Sequence, residues 1–334
     1  MNHATTIAAM RAAENKKPVN WRSTADVKRV GLDLFREFKR DDVPTLSAAV
    51  AFHTVFAIPA ILILIVLGAA VVNRVTDVEV LENIRRMIQD HAPSSTQQLL
   101  NEQVDSAIAK VNGSGLSFGI AATTAVALWS GSNAIGAMIA AFNTAYGVEE
   151  SRPFPRKKAL AVGLTLFVAL FISLAFALLV FGERIGSWTA DQAGAGSVFD
   201  VVWNVARWPA AVAAVALLLA VLYYVGPNVE QSFRWISPGS ILATVLWLIA
   251  TSGFGLYLRF SNPGSAYGAV GSVLVLLFFL YVTAIIFLLG AELNALIAKE
   301  HDPKTIRDLA TKPDAKPDVR AGARQRLRQM HDAR

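Results

Sequence analysis

No cysteine occurs among the 334 residues, which excludes disulfides, cysteine-ligated zinc and thiol nucleophiles together. Charge is sparse, at 17% of residues against 54% apolar ones. Histidine is scarce and scattered: His3, His53, His91, His301 and His331 contain no pair at metal-ligand spacing. The carboxylate clusters that metal-dependent RNA hydrolysis needs are not evident, and no soluble stretch is large enough to build a separate active site. A Walker-type Gly-Lys loop is missing as well, so any transport is passive or driven otherwise than by ATP bound here. The expectation is a protein that is not an enzyme, with no cofactor and no metal site. The stretch "MNHATTIAAMRAAENKK" has no apolar core of signal-peptide length, so no cleavage is expected.

What the chain does have is long apolar runs. Six blocks stand out, at about Ser47–Val72, Leu116–Tyr146, Ala159–Phe181, Val205–Val225, Pro238–Leu258 and Gly268–Ala298. Each approaches or exceeds the roughly 20 residues needed to cross a bilayer. Pro, Gly and charged residues punctuate the joints, as helix ends require. The expected fold class is an all-α polytopic membrane protein, a six-transmembrane-helix bundle.

Basic residues set the expected orientation. Lys and Arg number nine before the first block, four in "VEESRPFPRKK" and ten from Lys299 onward, against four in the whole of 73–115. Both termini are therefore expected in the cytoplasm of a multi-pass inner-membrane protein. The net charge of +6 follows from that bias, and no nucleic-acid partner is expected. Between about 77 and 111, Val80, Leu81, Ile84 and Ile88, then Leu100, Val104 and Ile108, recur at helical spacing around Ala92-Pro93. That pattern predicts a periplasmic amphipathic helical hairpin. The expected organisation is a cytoplasmic arm at 1–46, a membrane domain at 47–298 and a basic tail at 299–334. The arm carries an amphipathic helix with Val27, Val30, Leu34 and Phe38 on one face. The tail, polar and interrupted by proline, is expected to be largely disordered.

Four stretches carry a family resemblance: "LSAAVAFHTVFAIPAIL", "WSGSNAIGAMIAAFNTAYGVEESRPFPRKKALA", "YYVGPNVEQSFRWISPGSILATVLWLIATSGFGLYL" and "SAYGAVGSVLVLLFFLYVTAIIFLLGAELNALI". Together they resemble the YihY/BrkB family of bacterial inner-membrane proteins, once labelled ribonuclease BN-like, over about Thr45 to Ile297. One departure is His53, where the family usually has tyrosine. The resemblance implies six transmembrane helices with cytoplasmic termini. For activity it implies only proposals centred on envelope integrity, serum resistance and lipid movement.

Polar groups at membrane depth are the remaining candidates. Glu292 sits about five residues, roughly 8 Å, before the inner end of the sixth block. A charge there needs a partner or a function. Glu292, Asn294, His53 and Asn143 are expected at one level facing the bundle interior, with Asn133 deeper along the second block. Arg152 is a candidate partner for Glu292, and Tyr267 an outer-face residue opening the sixth block. Ser132, Gly136 and Ala140 form a small-residue stripe, and a helix break near "WSGSN" would expose backbone beside Asn133. Two functional classes follow: a protein that handles or translocates lipid or another amphiphile, and a non-transporting scaffold for envelope assembly. Membrane lipids are the expected partners, with a homo-oligomer and envelope-assembly partners left open.

Overall fold

The computed structural model describes residues 24–58, 116–193, 196–233, 235–261 and 263–332, together with ten residues scattered between 82 and 105. Every described element is helical apart from a single β-bridge. We number the helices α1 (Thr24–Arg40), α2 (Val43–Ile58), α3 (Leu116–Tyr146), α4 (Phe154–Ala193), α5 (Gly196–Val225), α6 (Pro238–Ser261), α7 (Pro263–His301), α8 (Pro303–Thr311) and α9 (Pro317–Asp332).

Among the described residues, four helices are long and apolar enough to cross a membrane, over Thr124–Tyr146, Phe154–Leu174, Pro238–Phe260 and Val273–His301. The described apolar stretches of α2 and α5, Val43–Ile58 and Pro209–Val225, are shorter. The protein is thus an all-α, polytopic membrane protein. Residues 59–72 of the first apolar block lie outside the described residues, as does most of the expected hairpin at 77–111. The described residues of that hairpin are helical, with Ile88 and Val104 buried and Arg85 paired with Asp105.

Consecutive helices from α3 to α7 pack side by side, and α7 closes the ring onto α3. α7 also touches α1, α5 and α8, so it is the hub of the bundle. The core is made where these helices meet: Ile139 and Phe142 of α3, Leu219, Leu222 and Tyr223 of α5, Ala243 of α6, and Leu288 and Ala291 of α7. Phe142 and Tyr223 cross edge to face at 5.5 Å, and the Tyr223 hydroxyl donates to the Phe287 carbonyl at 2.7 Å. Outward-facing positions such as Leu170, Ile249, Leu274 and Phe278 are exposed. In water such a belt would be an aggregation surface; in a bilayer it meets acyl chains.

α6 and α7 come closest of all. A Cβ built on Gly239 would lie 2.0 Å from the Gly290 carbonyl oxygen, and one on Gly290 would lie 2.7 Å from the Gly239 oxygen. Backbone touches backbone here, which only residues without side chains permit. α3, by contrast, runs unbroken from Leu116 to Tyr146, so of the alternatives open for this long block a break near "WSGSN" does not occur. The Ser132 hydroxyl bonds to the Trp129 carbonyl within the helix at 2.7 Å. The small-residue stripe is not one interface either: Ser132 is buried, a Cβ on Gly136 would meet nothing within 4 Å, and Ala140 is exposed.

The tail corrects the sequence expectation of disorder. Asp302 caps α8 by accepting from the Lys304 amide, and Pro303 opens the helix where a missing N–H costs nothing. Leu309, Ala310, Ala315 and Ala323 then pack on Ala145, Tyr146, Val229 and Ala295 of the bundle. Residues 314–316 cross 147–149, with Glu149 N–H donating to Asp314 O at 3.0 Å and Lys316 N–H to Gly147 O at 2.8 Å. Gly147 is needed there twice over: its φ is +70°, and a Cβ would fall 2.6 Å from Val319. A few apolar residues, spaced to face the bundle, outweigh a polar average composition.

The α6–α7 contact is the most demanding in the bundle, so Gly239→Ala is expected to cost about 3 kcal/mol, the upper end for overpacking. Its melting temperature in detergent should fall clearly below wild type, whereas Gly163→Ala, built into open space, should not lower it.

Candidate functional site

Four of the polar groups singled out from the sequence, Asn143, Arg152, Glu292 and Asn294, lie at one end of the bundle, where α3, α5 and α7 end and α4 and α6 begin. They do not form one niche. α7 divides them.

On the α6 side, Ser237 and Pro238 start a helix whose free amides need acceptors. Gly239 N–H donates to Asn294 Oδ1 at 2.8 Å, and Asn294 Nδ2 donates to Ser237 Oγ at 2.9 Å. The close Gly239–Gly290 approach brings Asn294, one turn on from Gly290, within reach of that helix start. Beside it lies a cleft of about 50 Å³ lined by Tyr146, Tyr224, Gln231, Ser232, Ser237 and Asn294 among others. That is room for a few ordered waters. Its polar groups are pinned: Tyr146 OH donates to Gln231 Oε1 at 2.9 Å, and Gln231 Nε2 to the Tyr223 and Tyr224 carbonyls at 2.8 and 2.9 Å.

Asp302 closes the same cleft. It accepts from Ser232 N–H (2.7 Å), Ser232 Oγ (2.9 Å) and Thr305 Oγ1 (2.9 Å), besides its own capping bond. Burial pushes its carboxyl up, but the Ser232 amide and hydroxyl, the Thr305 hydroxyl and the Lys304 amide outweigh burial and hold it below its ordinary value of 3.8. The sequence reading passed over Asp302, although Asp-Pro before an apolar-periodic segment is a helix-start signal.

Further around the ring, Asn143 and Arg152 build a second brace. Asn143 Nδ2 donates to Glu150 Oε2 at 3.0 Å, and its Oδ1 accepts from Asn228 N–H at 2.7 Å. Arg152 grips Glu150 through Nε and Nη2, at 2.8 and 3.2 Å, and donates to the Gly226 carbonyl at 2.8 Å. Burial raises the Glu150 carboxyl, but Arg152 and Asn143 more than reverse that, leaving it below its ordinary value. Arg152 is therefore committed to Glu150 and is not the partner of Glu292.

Glu292 points the other way. It is 2% exposed, and its Oε2 has no hydrogen-bond partner. Its neighbours are Glu37, Arg40 and Asp41 at the α1–α2 corner and Lys299 about two turns further along α7. One carboxylate oxygen from each of Glu37, Asp41 and Glu292 lies within 4.8 Å of the others. The sequence expectation of no metal constellation rested on scattered histidines and on the lack of an evident carboxylate cluster. The structure instead shows two carboxylates at i and i+4 of one turn converging with a third from α7. Asp42, with φ of 48°, turns the chain at this corner and leaves Asp41 buried. Lys299 donates to the Ala145 carbonyl at 2.7 Å, Arg40 pairs with Glu37, and Lys316 approaches Asp41 Oδ1 at 3.4 Å. Burial holds the Glu37 carboxyl above its ordinary value, against the pull of Lys299 and Arg40.

The other expected members lie elsewhere. Asn133 is exposed and accepts from Lys158 Nζ at 2.9 Å, with the same ammonium 4.0 Å above the Trp129 ring. His53 is half-buried and meets Phe52 edge-on at 5.7 Å. The Tyr267 side chain lies outside the described residues.

Acid should act first on the Asp302 brace. A carboxylate held below its ordinary value contributes stability above that value, and the contribution is lost as pH falls through the folded value. Melts from pH 7 down to pH 3 should show wild type losing stability below about pH 4. Asp302→Asn, less stable at pH 7, should lose less over the same interval.

The comparisons with known proteins agree with this architecture. Residues 34–315 match the family model described as "Virulence factor BrkB". The "Putative ribonuclease-like protein YfkH" of Bacillus subtilis (strain 168) is 32% identical over 268 residues, covering 80% of this chain and 94% of that protein. UPF0761 membrane proteins of Xanthomonas campestris and Xanthomonas axonopodis are 28% identical over 297 residues, covering 86% of this chain. The chain spans 65% of the length of these Xanthomonas relatives. No solved structure matches it. "Ribonuclease-like" belongs to the name of the Bacillus protein; the family description that matches the present chain names no ribonuclease activity. By the extent of these matches, the chain belongs to the YihY/BrkB family of membrane proteins.

Proposed function

We propose that this protein handles or translocates lipid or another amphiphile at the α6–α7 seam, in a six-span inner-membrane bundle with a periplasmic hairpin and both termini cytoplasmic. The observation that carries the reading is a lateral apolar groove of about 560 Å³ between the two helices, lined by Ala250, Gly253, Phe254, Tyr257, Phe278 and Val282 among others. Its volume suits an acyl chain, and its walls offer almost nothing to a polar solute.

The same two helices carry the polar cleft at their other ends, about twelve residues or roughly 18 Å away along each axis. Apolar groove and polar cleft thus share one seam, with the Gly239–Gly290 contact between them. An amphiphile lying along the seam would place its chain in the groove and its headgroup toward Ser237 and Asn294. The cleft is too small for a headgroup while Asn294 is bonded to Ser237, so entry requires that pair to part. Exposed Phe233, Trp235 and Ile236 flank the α6 start as interfacial anchors. Phe35 and Leu32 of α1, also exposed, extend that anchoring surface beside Lys39. The positive bias of the connections supports a cytoplasmic position for this end.

Gly253 provides the test, because a side chain there enters open space within the groove. Gly253→Leu should fold and melt like wild type, since leucine is also the better helix former. In liposomes containing fluorescent phospholipids, wild type should redistribute the probe between leaflets, and Gly253→Leu should slow this at least tenfold. Absence of redistribution by folded wild type across several lipid classes would favour the scaffold role.

A further inference from the structure

The geometry points to a divalent-cation site formed by Glu37, Asp41 and Glu292, taking a hard ion such as Mg²⁺, Ca²⁺ or Mn²⁺ that fastens the α1–α2 corner to α7. The three convergent oxygens, all within 4.8 Å of one another, have the spread of ligands around one such ion, whose bonds to oxygen run about 2.0–2.6 Å. An all-carboxylate donor set selects hard cations over zinc or copper.

A second observation distinguishes this cluster from an ordinary acidic surface. Glu292 is 2% exposed and the Asp41 side chain 1% exposed, yet Glu292 Oε2 and Asp41 Oδ2 have no hydrogen-bond partner. Buried carboxylate oxygens without donors are costly, and such gaps call for an ion or a proton. The protein's own cations do not fill this one. Lys299 is engaged by the Ala145 carbonyl. Arg40 and Lys316 reach Asp41 through Oδ1, at 3.4 Å each, and leave Oδ2 free of both. Their side chains are nearly half exposed, so each can withdraw to water when an ion enters.

Access and spare ligands come from an adjoining cavity of about 210 Å³, which reaches Glu37 between α1, the end of α7 and α9. Arg40, Lys299 and Asp318 also line it. It has room for the waters that would complete six-fold coordination around three protein oxygens. A shared proton is the competing occupant, and the measurements separate the two.

The full-length protein, in uncharged detergent micelles and stripped with chelator, is titrated with Mn²⁺ while free Mn²⁺ is read by electron paramagnetic resonance. We expect one Mn²⁺ per chain, displaced by Mg²⁺ or Ca²⁺, and a melting temperature that rises with ion concentration. Glu292→Gln and Asp41→Asn should each weaken Mn²⁺ binding at least tenfold. Metal-free Glu292→Gln should melt no lower than metal-free wild type, because it removes a buried repelling charge. If folded wild type holds no stoichiometric Mn²⁺, the site takes a proton and the proposal is overturned. Unchanged Mn²⁺ affinity in either folded variant overturns it equally, and Asp41→Asn decides the matter should Glu292→Gln fail to fold.

Discussion

Backbone contact between Gly239 and Gly290 is the constraint on which the polar end of this protein depends. Two helices that touch without side chains cannot do so along their whole length. Where they touch, Tyr223 and Ala243 pack over the crossing, and Asn294 falls within reach of the α6 amides. Farther along, bulky Phe254, Tyr257, Phe278 and Phe279 hold the axes apart and leave the apolar groove. One pair of glycines thereby sets both a tight brace and an opening. Lipid offers no hydrophobic drive to close such an opening, since acyl chains fill it as well as leucine would.

α7 has two electrostatic faces because of helical geometry alone. Residues 292 and 294 differ by about 200° of rotation at 3.6 residues per turn. Asn294 therefore meets α6, where its amide oxygen and nitrogen are both bonded, while Glu292 meets the α1–α2 corner, where Glu292 Oε2 and Asp41 Oδ2 have no donor. The satisfied face is a lock of serine, tyrosine and amide groups closed by Asp302, whose carboxylate is engaged by Ser232 and Thr305. A headgroup approaching the cleft would meet these groups and the engaged Asp302 rather than Glu292.

Much of the architecture was legible in the sequence because membrane burial writes itself in composition. Runs of about 20 apolar residues need no tertiary knowledge, and the described helices over Thr124–Tyr146, Phe154–Leu174, Pro238–Phe260 and Val273–His301 fall within them or overlap them. What resisted reading was anything decided by contacts between distant segments. Asn143, Arg152 and Glu292 look like one polar set on a linear map, yet Arg152 is claimed by Glu150 two residues away. The tail misled through its average: its lysines and prolines suggest disorder, while Ile306, Leu309, Ala315 and Ala323 lie buried. Two overlooked signals were local all the same. Asp302-Pro303 is a helix start, and Glu37 with Asp41 is an i, i+4 carboxylate pair lying outside the apolar blocks, whose third partner comes from α7 only in the fold.

The tail, α1 and the bundle consequently meet at one point, and this bears on how the protein would respond to its surroundings. α1 lies against α7 through Glu37 and Asp41, and α9 borders the same cavity through Asp318 and Val319. Charge introduced or withdrawn at that junction acts on three elements at once, whereas the Asn294 brace acts on two helices only. If α1 rests on anionic lipid, as its exposed Phe35, Leu32 and basic residues suit it to do, its pull is transmitted to α7 through the carboxylate cluster. The groove shares α7 with that cluster, so the apolar opening and the charged junction are both set by the placement of a single helix.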